Sequence, residues 1–352
     1  MKRLLLDSTL SRKVTRIPQP NNPFERMVRS QPLTVAGDCI QKSAFAVAET
    51  RDELSMINNP PNHAPPSSKS IVDVTDTALW VAALRAQESE RSDAVFRDPL
   101  AARLAGQRGA AIARSISNAA VTRWGVVIRT SAIDRLIEDA IRSGIKCVVN
   151  LGAGLDMRPY RMKIPPHIHW VEIDFPNLIQ LKDAELSGQT PTCHLERIGL
   201  NLLDGARRRK LFARYGSPST LMIAEGVVPY LSNDEVAGLA DDLLACAKFW
   251  ILDFDDAGIR RTPRSWAKQL QAAPVLFQPI DWFGFFENCG WQAHRVITSA
   301  EESEKVNRPY PFSFPRGLLM HALPRAIGRR VLTASGAALL RTSKVTADLG
   351  ST

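Results

Sequence analysis

The sequence predicts an α/β protein with a doubly wound, mostly parallel β-sheet, and three observations support this fold class. Short apolar runs alternate with longer helical stretches through the middle of the chain, which is the pattern of strand–helix–strand units. One such run, 147–151, passes directly into a turn that contains Gly152 and Gly154. A second run starts at His169 and ends in Asp174, about twenty residues after the glycines, as in nucleotide-binding sheets.

The individual elements follow from apolar periodicity and from turn residues. The predicted strands cover residues 146–151, 169–173, 195–199, 220–224, 250–253 and 292–298. The predicted helices cover residues 75–104, 128–143, 176–186, 206–215, 234–247 and 280–289. The first helical stretch is interrupted at Asp98-Pro99, and proline suits the first turn of a helix that restarts there. The helices before the first strand are expected to form an N-terminal helical cap.

The two ends of the chain differ from this middle part. Residues 1–69 are expected to be a largely disordered extension with a short helix near 38–54, and they run into a Pro/Asn/Ser-rich linker at 58–70. Met56, just before the linker, is a candidate for an alternative start of translation, which is a hypothesis. Residues 70–315 form the predicted catalytic domain.

The tail over residues 316–352 is apolar and basic. Its segment 324–341 is predicted to be a terminal helix that packs on the domain with its arginines in water. The alternative is a basic amphipathic segment that docks on an anionic lipid surface or on a partner.

Composition and charge favour a globular protein and argue against one that binds nucleic acid. The chain has 352 residues, of which 45% are hydrophobic and 23% charged, as is ordinary for a soluble globular protein. The net charge of +9 divides into +4 for residues 1–69 and +5 for residues 316–352, so residues 70–315 are neutral. A protein that binds nucleic acid is expected to carry a basic stripe on its domain, so no nucleic-acid partner is predicted.

The cysteines predict neither a metal site nor a disulfide framework. The five cysteines are isolated, without a C-x-x-C pair or a histidine at metal-ligand spacing. This usage suits a reducing cytoplasm. No apolar run reaches the length that spans a bilayer, so a cytoplasmic protein is expected.

The glycine turn predicts a nucleoside-binding site, since Gly152 and Gly154 let the backbone turn sharply and approach a ligand closely. A dinucleotide site needs a third small residue, and that position is occupied by Met157. The turn therefore favours an adenosyl ligand without pyrophosphate, for which S-adenosyl-L-methionine is the candidate. A nicotinamide-dependent oxidoreductase remains the alternative.

Five ordered motifs make the sequence similar to a known family. They are Thr77-Ala-Leu-Trp-Val-Ala-Ala-Leu-Arg-Ala-Gln-Glu-Ser89, Phe96-Arg-Asp-Pro-Leu-Ala-Ala102, Ile128-Arg-Thr-Ser-Ala-Ile-Asp134, the glycine turn with Val171-Glu-Ile-Asp-Phe-Pro176, and Ile223-Ala-Glu-Gly-Val-Val-Pro-Tyr-Leu231. Together they resemble the leucine carboxyl methyltransferase family, in particular its bacterial branch of S-adenosyl-L-methionine-dependent O-methyltransferases. The resemblance implies a class I (Rossmann-like) methyltransferase fold.

The resemblance also implies roles for single residues around the cofactor. Arg129 matches the basic residue that holds the methionine carboxylate, and its alternative is a solvated helix arginine. Asp174 is expected to accept hydrogen bonds from the ribose diol, although it could also cap a helix. Glu225 is expected near the methionine moiety, because an acid at the end of a buried strand is costly unless it is paired or used. Tyr230 is expected to face the transfer site, or else to be a core tyrosine.

The adenine site departs from the family pattern. Asn201-Leu202 occupies the place where bacterial members carry Asp-Leu. The amide oxygen of Asn201 can still accept a hydrogen bond from the adenine amino group, but without charge assistance. Asp204 is a candidate substitute. Asp156, Arg158 and Arg161 follow the glycine turn in the family pattern Asp-x-Arg-x-x-Arg, and they are structural or face the substrate.

The chemistry of methyl transfer favours one class of acceptor. A carboxylate is already a nucleophile and needs positioning and exclusion of water, whereas an alcohol or phenol needs a base. His167 and His169 are expected to be structural. The sequence thus predicts an O-methyltransferase that acts on a carboxylate, or a hydroxyl, of a small molecule. A non-catalytic protein that binds the cofactor for regulation is the alternative.

Aromatic residues are dense between positions 255 and 286. They are Trp266, Phe277, Trp282, Phe283, Phe285 and Phe286. They form either an apolar lid over the acceptor or part of the core.

Overall fold

A computed structural model of the chain describes residue 71 and residues 74–116, 119–255, 274–311 and 333–343. The predicted extension over 1–69, with its linker, Met56 and the helix at 38–54, lies outside these residues, and so does Trp266. Within the described ranges, no helix combines the length and the apolar character that crossing a membrane requires.

The described residues form helices and strands in alternation. The helices are α1 Val74–Ser89, α2 Ala101–Ser115, α3 Ala119–Arg142, α4 Arg158–Arg161, α5 Pro176–Glu185, α6 Gly205–Tyr215, α7 Asn233–Leu244, α8 Trp282–Asn288 and α9 Ser299–Lys305. The strands are β1 Cys147–Leu151, β2 His169–Asp174, β3 His194–Gly199, β4 Ser217–Ala224, β5 Ala247–Asp255, β6 Trp291–Thr298 and β7 Ser335–Thr342. A short 3₁₀ turn covers Val228–Tyr230.

The strands form one sheet in the order β3-β2-β1-β4-β5-β7-β6. The first five of these are parallel to their neighbours, and β7 runs antiparallel to both β5 and β6. The strand order reverses between β1 and β4, and ligands of open α/β sheets bind outside the carboxyl ends of the strands at such a point. The predicted doubly wound, mostly parallel sheet is confirmed.

Alternate residues of each strand face opposite layers of helices. On one face, Val149 and Met222 pack with α6, α7 and α8, while on the other face Val148 and Leu221 pack with α3. Because both faces are buried, the central strands are almost continuously apolar, as parallel strands are.

The N-terminal helices form a third cluster, which is the predicted cap. Side chains of α1 and α2, such as Leu84 and Ile112, pack with Leu155 and Met157 after the glycine turn. Met157 is fully buried in this cluster. The large residue at the third fingerprint position therefore fills space against the cap, where a dinucleotide fold has a small residue.

The aromatic residues of the 277–286 segment belong to the core. Phe277, Trp282 and Phe286 are buried in the cluster on β5 and α7, and Phe283 and Phe285 are partly buried against it. For these five residues the core interpretation is right and the lid interpretation is wrong.

The prediction of a terminal helix over 324–341 is wrong from Ser335 onward, because this part of the tail is the strand β7 in the interior of the sheet. Its residues Gly336 to Leu340 are small or apolar and buried on both faces, so they lack the alternation that marks a strand. A Cβ atom on Gly336 would collide with the carbonyl oxygen of Ile297, so glycine allows β6 to come close.

Candidate active site

The pairing of neighbouring strands places four residues of the candidate site in one row at the carboxyl edge of the sheet. Leu151 of β1 pairs with Ile173 of β2, and Ala224 of β4 pairs with Leu252 of β5. Asn150 pairs with Ile223, which sets β1 and β4 level. The residues that follow these pairs are Asp174, Gly152, Glu225 and Asp253, in the order of the strands β2, β1, β4 and β5.

The glycine turn after β1 has a backbone that only glycine adopts without strain. Gly152 and Gly154 have φ angles of 61° and 49°, in the left-handed region. A Cβ atom on Gly152 would also collide with the side chain of Val227, which follows β4. The turn therefore lies close to the β4 end, with its peptide groups uncovered by side chains of its own.

Asp174 ties the glycine turn to the end of β2. Its Oδ2 accepts a hydrogen bond from the backbone N–H of Gly154 at 2.6 Å, and its Oδ1 accepts one from the N–H of Phe175 at 2.7 Å. The residue that caps α5 is Phe175, without a side-chain cap, so Asp174 is not the helix cap. Burial raises the pKa of Asp174, partly opposed by these two N–H groups.

Arg129 of α3 reaches the ends of β4 and β5. Its Nε donates to Glu225 Oε1 at 2.9 Å and its Nη1 donates to Asp253 Oδ2 at 3.1 Å. Asp253 Oδ1 accepts from the backbone N–H of Gly226 at 2.8 Å. The Arg129 side chain remains 27% exposed, so it is a paired arginine that can still be reached from solvent.

Arg158 connects Glu225 with Asp156, which follows the glycine turn. Its Nη1 lies 2.8 Å from both Glu225 Oε2 and Asp156 Oδ2, and its Nε lies 2.7 Å from Asp134 Oδ1. Arg161 binds both carboxylate oxygens of Asp134, at 2.7 and 2.8 Å. We call these seven connected residues the Glu225 network, which consists of Arg129, Asp134, Asp156, Arg158, Arg161, Glu225 and Asp253.

The Glu225 network holds three arginines and four carboxylates, which leaves an excess of one negative charge. Burial alone would raise the pKa of Glu225, but Arg158 and Arg129 bring it below its ordinary value. Burial likewise opposes ionisation of Arg129, but Glu225 and Asp253 raise its pKa. Both groups are therefore charged at neutral pH.

Tyr230 lies in the 3₁₀ turn that follows β4 and is half-buried. Burial raises the pKa of Tyr230, with the nearby positive charge of Arg129 as a partial opposing influence. The phenol is therefore neutral at physiological pH. The backbone N–H groups of Leu276 and Phe277 donate to the carbonyl of Pro229 at 2.8 and 3.3 Å, which fixes the 274–277 segment beside this turn.

The predicted adenine side lies after β3. Asn201 is exposed, Leu202 is buried, and Asn201 Oδ1 accepts a hydrogen bond from the N–H of Leu203 at 3.0 Å. Asp204 caps α6, because its side chain accepts from the N–H of Arg207. Asp204 is thereby engaged in a structural role, while Asn201 keeps one further lone pair on its oxygen.

Comparison with known proteins identifies the family. The family model described as leucine carboxyl methyltransferase matches residues 78–244. A relative from Streptomyces coelicolor, "Putative S-adenosyl-L-methionine-dependent methyltransferase SCO7813", is 36% identical over 175 residues, which are 46% of this chain and 60% of that relative. A second, FRAAL3718 from Frankia alni, bears the same description and is 33% identical over 250 residues, covering 66% of this chain and 87% of the relative. The chain belongs to the leucine carboxyl methyltransferase family.

The family assignment confirms the predicted class, an S-adenosyl-L-methionine-dependent methyltransferase with a Rossmann-like fold. The residues at the carboxyl edge fit the cofactor in three respects. Each oxygen of Asp174 accepts one backbone hydrogen bond and keeps lone pairs for the ribose hydroxyls. The glycine turn leaves its peptide groups accessible. The excess negative charge of the Glu225 network matches a ligand with a carboxylate, an ammonium and a sulfonium.

The sequence did not indicate two acids of this methyltransferase site. Asp253 lies near the end of the buried strand β5 much as Glu225 follows β4, so the same reasoning about a costly buried acid could have found it. Asp134 closes the third family motif and lies on α3, the helix that also carries Arg129. Its place in that motif marks it in the sequence, but the motif does not reveal which residue it pairs with. Only the fold brings it to Arg158.

Proposed function

We propose that this methyltransferase transfers the methyl group of S-adenosyl-L-methionine to a carboxylate oxygen of a small molecule. The observation that carries the proposal is the state of the two ionisable groups beside the predicted transfer position. Glu225 is ion-paired to two arginines and has a lowered pKa, so it is a weak base. Tyr230 has a raised pKa and stays protonated. Neither group is suited to take a proton from an alcohol at neutral pH.

A carboxylate acceptor removes the need for such a base. The bond between its oxygen and the methyl carbon forms as the bond between that carbon and sulfur breaks, and the electron pair of the broken bond goes to sulfur. No proton moves in this step, whereas an alcohol or phenol must lose one. Tyr230 can then donate a hydrogen bond that orients the acceptor, and catalysis consists mainly of alignment and exclusion of water.

The binding roles follow from the positions of the side chains. Asp174 accepts the two ribose hydroxyls, and the peptide groups of Gly152 and Gly154 lie against the nucleoside. Arg129 holds the methionine carboxylate with the donors that remain after its two ion pairs, since a guanidinium has five. Glu225 binds the α-ammonium group. When bound, the cofactor supplies an electrophilic methyl group on a sulfonium.

The adenine ring is assigned to the edge beyond β3. Asn201 accepts from the adenine amino group through its second lone pair, and Leu202 contributes apolar contact. The support for this is the position of the pair after β3, on the same edge of the sheet as Asp174.

The acceptor is proposed to have an apolar body. Val275 and Leu276 are 39% and 50% exposed although they are large and apolar, and they belong to the segment fixed to Pro229. The backbone N–H of Leu276 donates to the carbonyl of Pro229, the residue before Tyr230. An apolar surface beside the transfer position suits a hydrophobic carboxylic acid.

The test is methyl transfer from cofactor tritiated in the methyl group, with the full-length protein and a panel of apolar carboxylic acids and phenols. A methyl ester releases volatile tritiated methanol in mild base, whereas a methyl ether of a phenol keeps its label. We expect base-labile label with the acids, and about a tenfold lower kcat for Tyr230→Phe, the loss of one ordinary hydrogen bond to the acceptor.

Two outcomes would overturn the proposal. Base-stable label would mean that the acceptor is a hydroxyl and that a base has been overlooked. Binding of S-adenosylhomocysteine without transfer to the panel or to a cell extract would favour the regulatory alternative. Protection from thermal unfolding by NAD, but not by S-adenosylhomocysteine, would exclude the cofactor itself.

A further inference from the structure

The short helix α4 carries two buried arginines that look equivalent in sequence. The side chains of Arg158 and Arg161 are 2% and 4% exposed, and both bind Asp134. Their other described contacts differ, because Arg158 also reaches Asp156 and Glu225, each at 2.8 Å, whereas Arg161 lies over the ring of Phe96 at 5.0 Å. One arginine therefore touches the row at the sheet edge and the other does not.

The carboxylate of Glu225 is held from two sides. Its Oε1 accepts from Arg129 at 2.9 Å, and its Oε2 is paired with Arg158 at 2.8 Å. Arg129 is 27% exposed and has a second carboxylate partner in Asp253, so its charge is shared between two acids and an incoming carboxylate. Arg158 is fixed by Asp134 and Asp156 and is nearly inaccessible. Arg158 is the anchor of Glu225 that a ligand does not disturb.

Asp156 in turn orients Arg158 from the glycine turn. Its Oδ1 accepts from the backbone N–H of Arg158 at 3.0 Å, and its Oδ2 accepts from Asn150 Nδ2 at 2.9 Å. The position of Arg158 is thus set by the end of β1 and by α3, through Asp134. A guanidinium that spans three carboxylates in fixed directions has no equivalent in lysine, whose ammonium is a point charge.

We propose that Arg158 is a positioning residue for the amino-acid end of the cofactor, which holds Glu225 ionised and oriented toward the α-ammonium group. This rests on the proposed cofactor role of Glu225. Arg158 acts through Glu225 and does not touch the nucleoside half of the ligand, so its effect is confined to ligands that carry the amino-acid end.

The experiment compares two ligands that differ only in that end, S-adenosylhomocysteine and 5′-methylthioadenosine, by calorimetric titration of the full chain. Arg158→Lys is expected to weaken S-adenosylhomocysteine about tenfold or more, the equivalent of one charge-assisted hydrogen bond, and to leave methylthioadenosine within about twofold. Arg161→Lys is the matched control, since it alters a buried arginine of the same helix that shares the partner Asp134, has no described contact with Glu225, and keeps the charge of the network. It is expected to change neither affinity by more than about twofold.

A double variant tests whether Arg158 acts through Glu225. Glu225→Gln is expected to weaken S-adenosylhomocysteine, and Arg158→Lys combined with Glu225→Gln is expected to weaken it no further, because the two residues act as one unit. Additive losses would contradict the proposal. If Arg158→Lys does not fold, Asp156→Asn carries the test, since it loosens Arg158 without touching Glu225, and it is expected to show the same ligand selectivity with a smaller effect.

The experiment distinguishes failure of the role proposed for Arg158 from failure of the proposed function. Equal weakening of both ligands by Arg158→Lys, or equal effects of Arg158→Lys and Arg161→Lys, would mean that Arg158 is structural only. A wild-type protein that binds neither ligand would instead refute the proposed function. A wild-type protein that binds both with the selectivity unchanged in Arg158→Lys would leave the cofactor assignment intact and overturn the role of Arg158.

Discussion

Two networks of ion pairs lie in different parts of the sheet, and they differ in charge balance and in their position relative to its carboxyl edge. The Glu172 network joins β2, α5 and β3: Lys182 Nζ and Arg197 Nε each lie 2.8 Å from Glu172, and Arg197 Nη1 lies 2.6 Å from Asp183. The side chains of Glu172 and Lys182 are completely buried. This network has two cations and two carboxylates, and its outer carboxylate, Asp183, is 55% exposed, whereas the Glu225 network has one more carboxylate than cations and reaches solvent through Arg129, which is 27% exposed.

The difference shows how the same ion-pair chemistry serves two purposes. A balanced network around a completely buried ion pair carries no net charge to attract a ligand, so its main effect is expected on the stability of the folded state. The Glu225 network, at the sheet edge, has one more carboxylate than arginines in a partly desolvated place, and this excess is unfavourable without a ligand although Lys182 and Arg85 reduce it from outside the network. A cofactor with a net positive charge removes that imbalance on binding. The unfavourable free energy of the excess negative charge in the free protein is relieved when the cofactor binds, and this contributes to the affinity for the cofactor.

The largest expected effect comes from breaking the balanced network. Glu172→Gln leaves Lys182 without its carboxylate at a completely buried position. Removing one partner of a buried pair costs about 3–5 kcal/mol, so the free energy of unfolding should fall by that amount in urea titration. The affinity of the remaining folded protein for S-adenosylhomocysteine should change less than it does in Glu225→Gln, because Glu172 has no described contact with the row at the sheet edge and its partner Lys182 influences Asp174 only through space.

The same substitution in the other network sharpens the comparison. Glu225→Gln leaves Arg129 with Asp253, and leaves Arg158 with Asp134 and Asp156, so no cation is stranded. Its loss of stability should be smaller than that of Glu172→Gln, and its loss of cofactor affinity should be larger. If both variants lose stability and affinity in the same ratio, the division between a structural and a ligand-binding network is wrong.

The next largest effect concerns Asp174, which belongs to neither network. Asp174→Ala removes a carboxylate that is proposed to accept two ribose hydroxyls, each contact contributing about 1.5–3 kcal/mol. The affinity for S-adenosylhomocysteine should fall on the order of 100-fold or more by calorimetry. Asp174→Asn keeps one oxygen acceptor and should lie between Asp174→Ala and the wild type. Equal affinities for all three proteins would remove Asp174 from the ribose site.

The fold was largely predictable because most of its strands and helices are marked by residues that are close together in the sequence. Six of the seven described strands were predicted, since short apolar runs between turn residues stand out along the chain. The helix α3 begins at Ala119 rather than at residue 128. Asn118, directly before it, is a residue type that favours a helix start, but Gly125 interrupts the helical pattern that follows and hid the first turns. The strand β7 was missed, since its pairing with β5 and β6 is long-range and its small apolar residues show no period.

The candidate site was predictable only in part. The glycines and the acids can be recognised in the sequence, because they come at the ends of predicted strands. The links between them are not visible: Asp134 and Arg158 are 24 residues apart, and Arg129 and Asp253 are 124 apart. Which arginine pairs with which acid depends on how α3 crosses the sheet. The distinction between Arg158 and Arg161, on one short helix, is likewise a property of the fold.

A pH titration separates Asp174 from the Glu225 network. Because burial raises the pKa of Asp174 above the ordinary value of about 3.9, its ionised form is lost first as the pH falls. The affinity for S-adenosylhomocysteine should therefore decline through that raised pKa, by up to about tenfold per pH unit. Glu225, whose pKa is lowered, stays ionised over this range.

Lowering the pH has the opposite effect on the stability of the folded protein, as far as Asp174 contributes to it. A buried acid whose pKa is raised in the folded state binds its proton more tightly there than in the unfolded chain, so protonation of Asp174 favours folding. Across the same pH window its contribution to stability should improve while the cofactor affinity declines. Asp174→Asn should show neither change. An acid limb of binding that persists in Asp174→Asn would assign the titration to another group.

The smallest expected effect is at the adenine edge, where the chain departs from its family. Asn201→Asp restores a charged acceptor for the adenine amino group and keeps the oxygen that accepts from the N–H of Leu203. Since the residue is exposed, solvent reduces the gain, and the affinity for S-adenosylhomocysteine should rise by only about two- to fivefold. Asp204→Ala is the matched control, because it removes a nearby acid that caps α6, at a stability cost of about 1 kcal/mol. It should leave the affinity unchanged, and a fall in affinity with Asp204→Ala, without a rise with Asn201→Asp, would move the adenine contact to Asp204.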